Sequence, residues 1–209
     1  MHHPPSKSIR LLESVPNKVY RRLVVRYPYQ TDRDYALSYR FAAQRLAKSF
    51  AGNNEDDLIL LPFLALYRQA FELELKNLIR LLVHIRVAYV EGDTFELRQA
   101  ISKKRFKDEL GHNLHKLLNA ASTHYSALAL PEPFPREVAR FIVMLHEADT
   151  TGTAFRYAGQ LPDTQEYADF PDLAALLDQQ YDDLAVIADY ADGVYSAGPT
   201  LKEHDGEGY

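Results

Sequence analysis

The segment FELELKNLI, residues 71–79, lies in the middle of the longest helical pattern of the chain. Apolar residues recur at helical spacing from about residue 58 to residue 89, and this length predicts one long central helix. Glu72 and Lys76 are four residues apart and therefore share one face of that helix. Their sequence neighbours are leucine, isoleucine and phenylalanine, so we expect both charges at core-like positions that demand polar partners.

A second phrase, GHNLHKLL at residues 111–118, opens another predicted helix with a histidine and an asparagine. Since buried polar side chains are normally paired, the two phrases are expected to meet across a helix–helix interface. The residues predicted to share one neighbourhood are Glu72, Lys76, His112 and Arg156, with Asp149 and Tyr157 as further candidates.

Three further stretches, at residues 112–126, 136–149 and 172–194, also read as helices. Another helix is predicted from Thr31 or Asp32, either of which suits an N-cap, to about residue 50. Its apolar spacing is carried by Tyr35, Tyr39, Ala42, Ala43 and Leu46. The prediction is an all-α bundle of four or five helices around the central one.

Other segments leave alternatives open. Pro62 either kinks the long helix or marks its first turn. Residues 19–29 are β-branched and aromatic, which is compatible with a strand or with an extended arm. Residues 95–104 read as a short helix or a structured loop. We divide the chain into a basic extension with the first helix (1–50), a helical bundle (51–195) and a disordered tail (196–209).

Composition excludes several classes of site. The chain has no cysteine, so disulfides, iron–sulfur clusters and thiolate zinc sites are impossible. The sequence also contains no phosphate-binding glycine loop. His112 and His115 could form half of a metal site, but the sequence offers no second pair of ligands. We therefore predict no cofactor and no metal.

Charged residues interrupt every long apolar run and the N-terminus has no signal-peptide core, so we expect a cytoplasmic protein without a membrane partner.

The net charge of −5 conceals a strong asymmetry along the chain. Residues 1–50 carry a balance of +7 and residues 147–209 one of −12. The two ends either pair with each other, or the basic end contacts phosphate. Tyrosines and arginines also alternate within residues 20–40, a composition typical of a protein interface, including a homodimer, and of nucleic-acid binding.

The phrase Glu-x-x-x-Lys followed by Gly-His-Asn-Leu-x-x-Leu-Leu resembles the helical hairpin of the HEPN superfamily over roughly residues 60–157. Many members of that superfamily act on nucleic acid or accompany proteins that do. Its nucleases carry an arginine, four to six residues and a histidine. Two pairs fit this spacing, Arg105 with His112 and Arg140 with His146, but about one or two such matches are expected by chance.

The resemblance implies a prokaryotic defence or toxin–antitoxin protein that acts on or near RNA, as a homodimer and as a metal-independent ribonuclease. His112 would then be the acid/base group, and Arg105 or Arg156 would hold phosphate. The alternative is a non-catalytic dimerising module that scaffolds or regulates a partner protein encoded by a neighbouring gene. A competing reading of Arg156 is structural, with the arginine pairing with Asp149 or Glu72 to hold its loop on the bundle.

Overall fold

The computed structural model describes residues 30–157 and 167–206, and every regular element in these ranges is helical. In chain order the helices are α1 (Asp32–Ala47), α2 (Leu60–Ile85), α3 (Phe95–Ala100), α4 (Leu114–Ala127), α5 (Arg136–Ala148), α6 (Phe170–Ser196) and α7 (Leu201–Gly206). Helices α3 and α7 have six residues each, and the other five have between 13 and 27. The predicted all-α bundle is confirmed.

Helix α2 is the centre of the bundle and packs against α1, α4 and α6. A 3₁₀ segment, Asn54–Ile59, leads into it, and a wide π turn, Arg86–Val90, follows it. Pro62 lies in the first turn of α2, where its missing N–H costs no hydrogen bond, so the first-turn alternative is the right one. The predicted span of 58–89 thus covers the end of the 3₁₀ segment, the whole of α2 and most of the π turn.

Helix α1 buries alanines rather than tyrosines against α2. Ala36 and Ala43 are fully buried, whereas Tyr35 and Tyr39 are 40% and 37% exposed. Small side chains allow the two helix axes to approach closely, and the tyrosines stand at the edge of the contact. The helix begins as predicted, because Thr31 accepts from the N–H of Asp34 in a capping box. Helix α1 belongs to the same compact unit as the other described helices.

Arginines of α1 pair with aspartates of α6. The guanidinium of Arg40 donates to Asp178 at 2.7 Å and to Asp182 at 2.7 Å. Arg33 makes the same kind of contact with Asp189 at 2.9 Å. The hydroxyl of Tyr67 on α2 also donates to Asp178, at 3.0 Å. Part of the charge asymmetry is therefore neutralised within the bundle, where basic α1 meets acidic α6.

Helix α4 begins two residues later than predicted, because Asn113 is its N-cap and accepts from the N–H of Lys116 at 2.9 Å. His112 therefore precedes the helix. Helix α5 matches its predicted span closely, and residues 95–104 contain the short helix α3. The predicted disordered tail contains α7, and residues 19–29 lie outside the described ranges. Among the described helices, none is long and apolar enough to cross a membrane.

His124 on α4 connects this helix to the turn after α2. Its side chain is buried, and its Nδ1 lies 2.6 Å from the Arg86 guanidinium. Burial, assisted by the charges of Arg86 and Arg105, lowers the pKa of His124 to about 4. The neutral ring therefore accepts a hydrogen bond from Arg86 through Nδ1.

We expect Arg40→Ala to lower the free energy of unfolding by about 1–3 kcal/mol, since it leaves Asp178 and Asp182 without their main partner. Urea denaturation followed by circular dichroism measures the change. Arg45 on the same helix is exposed, so Arg45→Ala is the matched control and should stay within about 0.5 kcal/mol of the native chain. Equal losses in the two variants would contradict the α1–α6 contact.

Between pH 6.5 and about 4 we expect the protein to lose stability because of His124. In this window the unfolded chain binds a proton on the histidine that the folded chain does not, so acid favours unfolding. His124→Gln keeps an acceptor for Arg86 without the titration, so its urea midpoint should fall less between pH 7 and pH 4.5. The exposed His84 provides the control, since His84→Gln should retain the native pH dependence. The same fall in the native chain and in His124→Gln would refute the assignment.

Candidate functional site

Three charged residues follow one face of α2 at four-residue spacing: Arg68, Glu72 and Lys76. Arg68 and Glu72 are 3% and 1% exposed. One carboxylate oxygen of Glu72 lies 3.3 Å from the Arg68 guanidinium, and the other accepts from the Lys76 ammonium at 2.7 Å. The buried carboxylate thus has a cation on each side along the helix, which offsets the cost of burying its charge.

His112 reaches the same carboxylate from the loop before α4. Its Nδ1 lies 2.9 Å from Oε1 of Glu72, while its backbone carbonyl accepts from the Arg68 guanidinium at 2.7 Å. The side chain of His112 is 66% exposed although its partner is almost fully buried. When Nδ1–H is donated to the carboxylate, the neutral ring carries its lone pair on Nε2. The contact therefore orients an exposed imidazole whose second nitrogen is free of this hydrogen bond.

Asp149 organises the loop that follows α5. Its Oδ1 accepts from the backbone N–H groups of Gly152, Thr153 and Ala154, at 2.7, 3.0 and 3.0 Å. Its Oδ2 lies 3.3 Å from Nε of Arg68, an ion pair without hydrogen-bond alignment, because that N–H points to the Asp149 carbonyl. Burial tends to raise the pKa of Asp149, but the Ala154 N–H, the charge of Arg68 and the other N–H groups hold it below its ordinary value.

Gly152 lies close to the guanidinium of Arg68. A Cβ at this position would lie 2.9 Å from Nη1 of Arg68, well inside van der Waals contact. The residue also has φ +78°, a conformation that other L-residues adopt only at a cost. The close approach of loop and guanidinium therefore requires glycine.

Arg156 and Tyr157 lie at the exposed end of the same loop. The guanidinium of Arg156 donates to the carbonyl of Gly152 and lies 6.0 Å from the centre of the Tyr157 ring. Within residues 30–157 and 167–206, no carboxylate pairs with Arg156. In the structural reading of the sequence, Arg156 pairs with Asp149 or Glu72. Arg68 occupies that place instead and leaves the charge of Arg156 exposed.

Among the described residues, no hydrogen bond joins Arg105 to His112 or Arg140 to His146, the two pairs that fit the spacing motif. Arg105 lies 3.7 Å from Glu109, and its charge contributes to lowering the pKa of His124. Arg140 bonds Glu137 at 3.1 Å on the exposed face of α5. Among the described residues, His112 instead contacts Glu72 through its ring and Arg68 through its backbone carbonyl.

Two histidines, His115 and His146, stack on each other, and His146 interacts electrostatically with Arg68 and Asp149. The ring of His146, at the end of α5, stacks on that of His115, in the first turn of α4, with centroids 6.1 Å apart. Burial, followed by the charge of Arg68, lowers the pKa of His146. The lower pKa favours the neutral form of His146, which limits charge repulsion between the stacked rings.

Sequence reasoning missed Arg68, although it contacts Glu72, Asp149 and His112. Its spacing contained a usable signal, because Arg68 precedes Glu72 by four residues and so shares its helix face with Lys76. We name the group formed by Arg68, Glu72, Lys76, His112, Asp149 and Arg156 the polar cluster.

Within the described ranges, no three histidine or carboxylate side chains are close enough together to hold a metal ion. No family model, curated protein or solved structure matches the chain. The chemistry of the polar cluster therefore has to be argued from its own geometry.

We expect Gly152→Ala to cost at least about 2 kcal/mol of unfolding free energy, since it combines an unfavourable φ with a clash against Arg68. Gly193, inside α6, has no atom within 4 Å of an added Cβ, so Gly193→Ala should be stabilising by about 0.5–1 kcal/mol. Thermal unfolding of both variants measures the difference. Similar shifts at the two glycines would show that the loop does not press on the guanidinium.

Proposed function

We propose that this chain is a HEPN-like helical protein of a prokaryotic defence or toxin–antitoxin system and that it cleaves RNA without a metal ion. The observation that carries the proposal is the contact between exposed His112 and buried Glu72 at 2.9 Å. A positioned imidazole that faces solvent is suited to proton transfer, and a carboxylate behind it stabilises the imidazolium that forms.

The proposed reaction uses the RNA 2′-hydroxyl as nucleophile. Nε2 of His112 takes the proton of this hydroxyl while the 2′-oxygen forms a bond to phosphorus. The bond from phosphorus to the 5′-oxygen breaks, and the leaving oxygen takes a proton from water. The His112 imidazolium then returns its proton to the hydroxide that remains. The products are a 2′,3′-cyclic phosphate and a 5′-hydroxyl, so no oxidant or cofactor is needed. Positioning and proton transfer are the contributions expected from the protein.

The charge of the polar cluster favours an anionic substrate. Its three cations, Arg68, Lys76 and Arg156, exceed its two carboxylates, Glu72 and Asp149, by one charge. Arg156 is the best candidate to contact phosphate, since it is exposed and bonds only a backbone carbonyl among the described residues. Arg105, the other arginine that the resemblance suggests, is paired with Glu109.

The second candidate function is a non-catalytic module that dimerises and scaffolds a partner protein. It is favoured by large apolar side chains on the outer surfaces of α5 and α6, where Met144 and Val186 are each 60% exposed. Exposed apolar side chains that gather into one patch are often covered in a homodimer or by a partner. A dimeric mass in light scattering, reduced to a monomer by Val186→Glu, would support this interface.

Cleavage of single-stranded RNA in excess EDTA tests the ribonuclease proposal. We expect His112→Ala to reduce the rate by at least about 100-fold, the low end for a positioned acid/base group. Arg156→Ala should also reduce it, through weaker phosphate binding. His84 is exposed on α2, away from the polar cluster, so His84→Ala should cleave at the native rate.

Circular dichroism establishes that each variant remains folded. The mechanism fails if activity is abolished by EDTA, or if it is unchanged in both His112→Ala and Arg156→Ala. A native protein that leaves every RNA intact would favour the scaffold function.

A further inference from the structure

A cavity of about 310 Å³ lies beside the polar cluster, between α1, α2 and the loop after α5. The residues that line it are Tyr39, Pro62, Ala65, Leu66, Arg68, Gln69, Asp149, Gly152 and Arg156. Its volume is at the lower limit for small-molecule sites in proteins, so it suits one compact group better than a whole duplex.

The cavity has an apolar side and a charged side. Pro62, Ala65 and Leu66, from the first turns of α2, provide an aliphatic wall, and Tyr39 adds an aromatic ring that is 37% exposed. The loop contributes Asp149, Gly152 and Arg156 to the lining. Asp149 lies 3.3 Å from Arg68, so its charge is paired, whereas Arg156 has no carboxylate partner among the described residues. A ligand that fills this space therefore needs a flat or apolar part joined to an anionic part.

Two polar side chains of the lining have unused hydrogen-bonding capacity. Gln69 is half-buried, and in the described part of the chain its carboxamide makes no hydrogen bond. An amide can donate and accept at once, which matches the edge of a nucleobase. Arg156 has five N–H donors, of which one reaches Gly152 among the described residues. These two solvent-accessible groups are thus available to a ligand with both a hydrogen-bonding edge and an anion.

We propose that this cavity binds a nucleobase of single-stranded RNA, with the adjoining phosphate on Arg156. The base stacks on Tyr39 and against the aliphatic wall, while Gln69 contacts its edge. Aromatic stacking with one polar contact is a common way to hold an unpaired base. The assignment of the ligand to RNA rests on the proposed function, whereas the fit of a nucleotide to the cavity rests on its lining.

The cavity shares Arg68 with the proposed proton-transfer site. Arg68 lines the cavity, and its guanidinium donates to the carbonyl of His112 at 2.7 Å. A base held in the cavity therefore lies next to the residue that positions His112. This adjacency makes the cavity a subsite for a nucleotide next to the scissile bond.

Isothermal titration of the full chain tests the pocket directly, with adenosine and uridine 5′-monophosphates, ribose 5-phosphate and inorganic phosphate as probes. We expect a nucleoside monophosphate to bind at least about 10-fold more tightly than ribose 5-phosphate, because only the nucleotide has a base to stack. Equal affinity for the two, or no binding of either nucleotide at the highest soluble concentration, would overturn the proposal.

Ala65→Leu fills the cavity and should lower nucleotide affinity at least about 10-fold, and Gln69→Ala should lower it without adding bulk. Ala127→Leu makes the same substitution at an exposed position of α4 and should bind nucleotide as the native chain does. Native affinity in both cavity variants would contradict the pocket, and Gln69→Ala retains this test if Ala65→Leu does not fold.

His112→Ala separates the two proposals. This variant should bind nucleoside monophosphates with native affinity, since His112 does not line the cavity. If the native chain binds nucleotide but cleaves no RNA, the pocket is supported and the ribonuclease is removed. RNA cleavage that is as fast in Ala65→Leu and Gln69→Ala as in the native chain would keep the ribonuclease and remove the pocket.

Discussion

The buried guanidinium of Arg68 is the contact on which the arrangement of the site depends. It bonds a carboxylate of its own helix, a carbonyl before α4 and the backbone after α5. The desolvation of this charge lowers the pKa of Arg68, which shows that burial works against the charged form. The planar fork of an arginine can satisfy several acceptors in fixed directions, which a lysine ammonium cannot do in the same way. Three separate segments of the chain are thereby joined at one group.

The polar cluster has a buried part, which includes Glu72, and an exposed part, which includes His112 and Arg156. Glu72 is held by two cations of α2, so it presents a fixed oxygen to His112. The imidazole is oriented from behind and remains exposed in front. Arg156 is likewise held by a backbone carbonyl and exposed. Side chains placed in this way need little reorganisation to meet a ligand, which is the property expected of a binding or catalytic site.

Much of the fold and part of the site could be predicted from sequence. Helical periodicity located α2, and the cost of burying an unpaired charge predicted that Glu72 and Lys76 need partners, which the structure supplies. Periodicity did not separate the tyrosines of α1 from its buried alanines, because both fall near the same spacing. The pairing of Asp149 with Arg68 was missed, since it depends on the path of a loop with no period. Helix patterns report which face is buried, and they do not report which distant backbone approaches that face.

The ion pairs between α1 and α6 also bear on the order of folding. Arg40 and Asp178 are 138 residues apart in sequence, and Arg33 and Asp189 are 156 apart. During synthesis from the N-terminus, these arginines have no such partners until most of the chain has emerged. Closing so long a loop costs conformational entropy that is recovered only when the last long helix docks. Helix α1 is thus made early in synthesis, yet it is among the last of the described helices to complete its contacts.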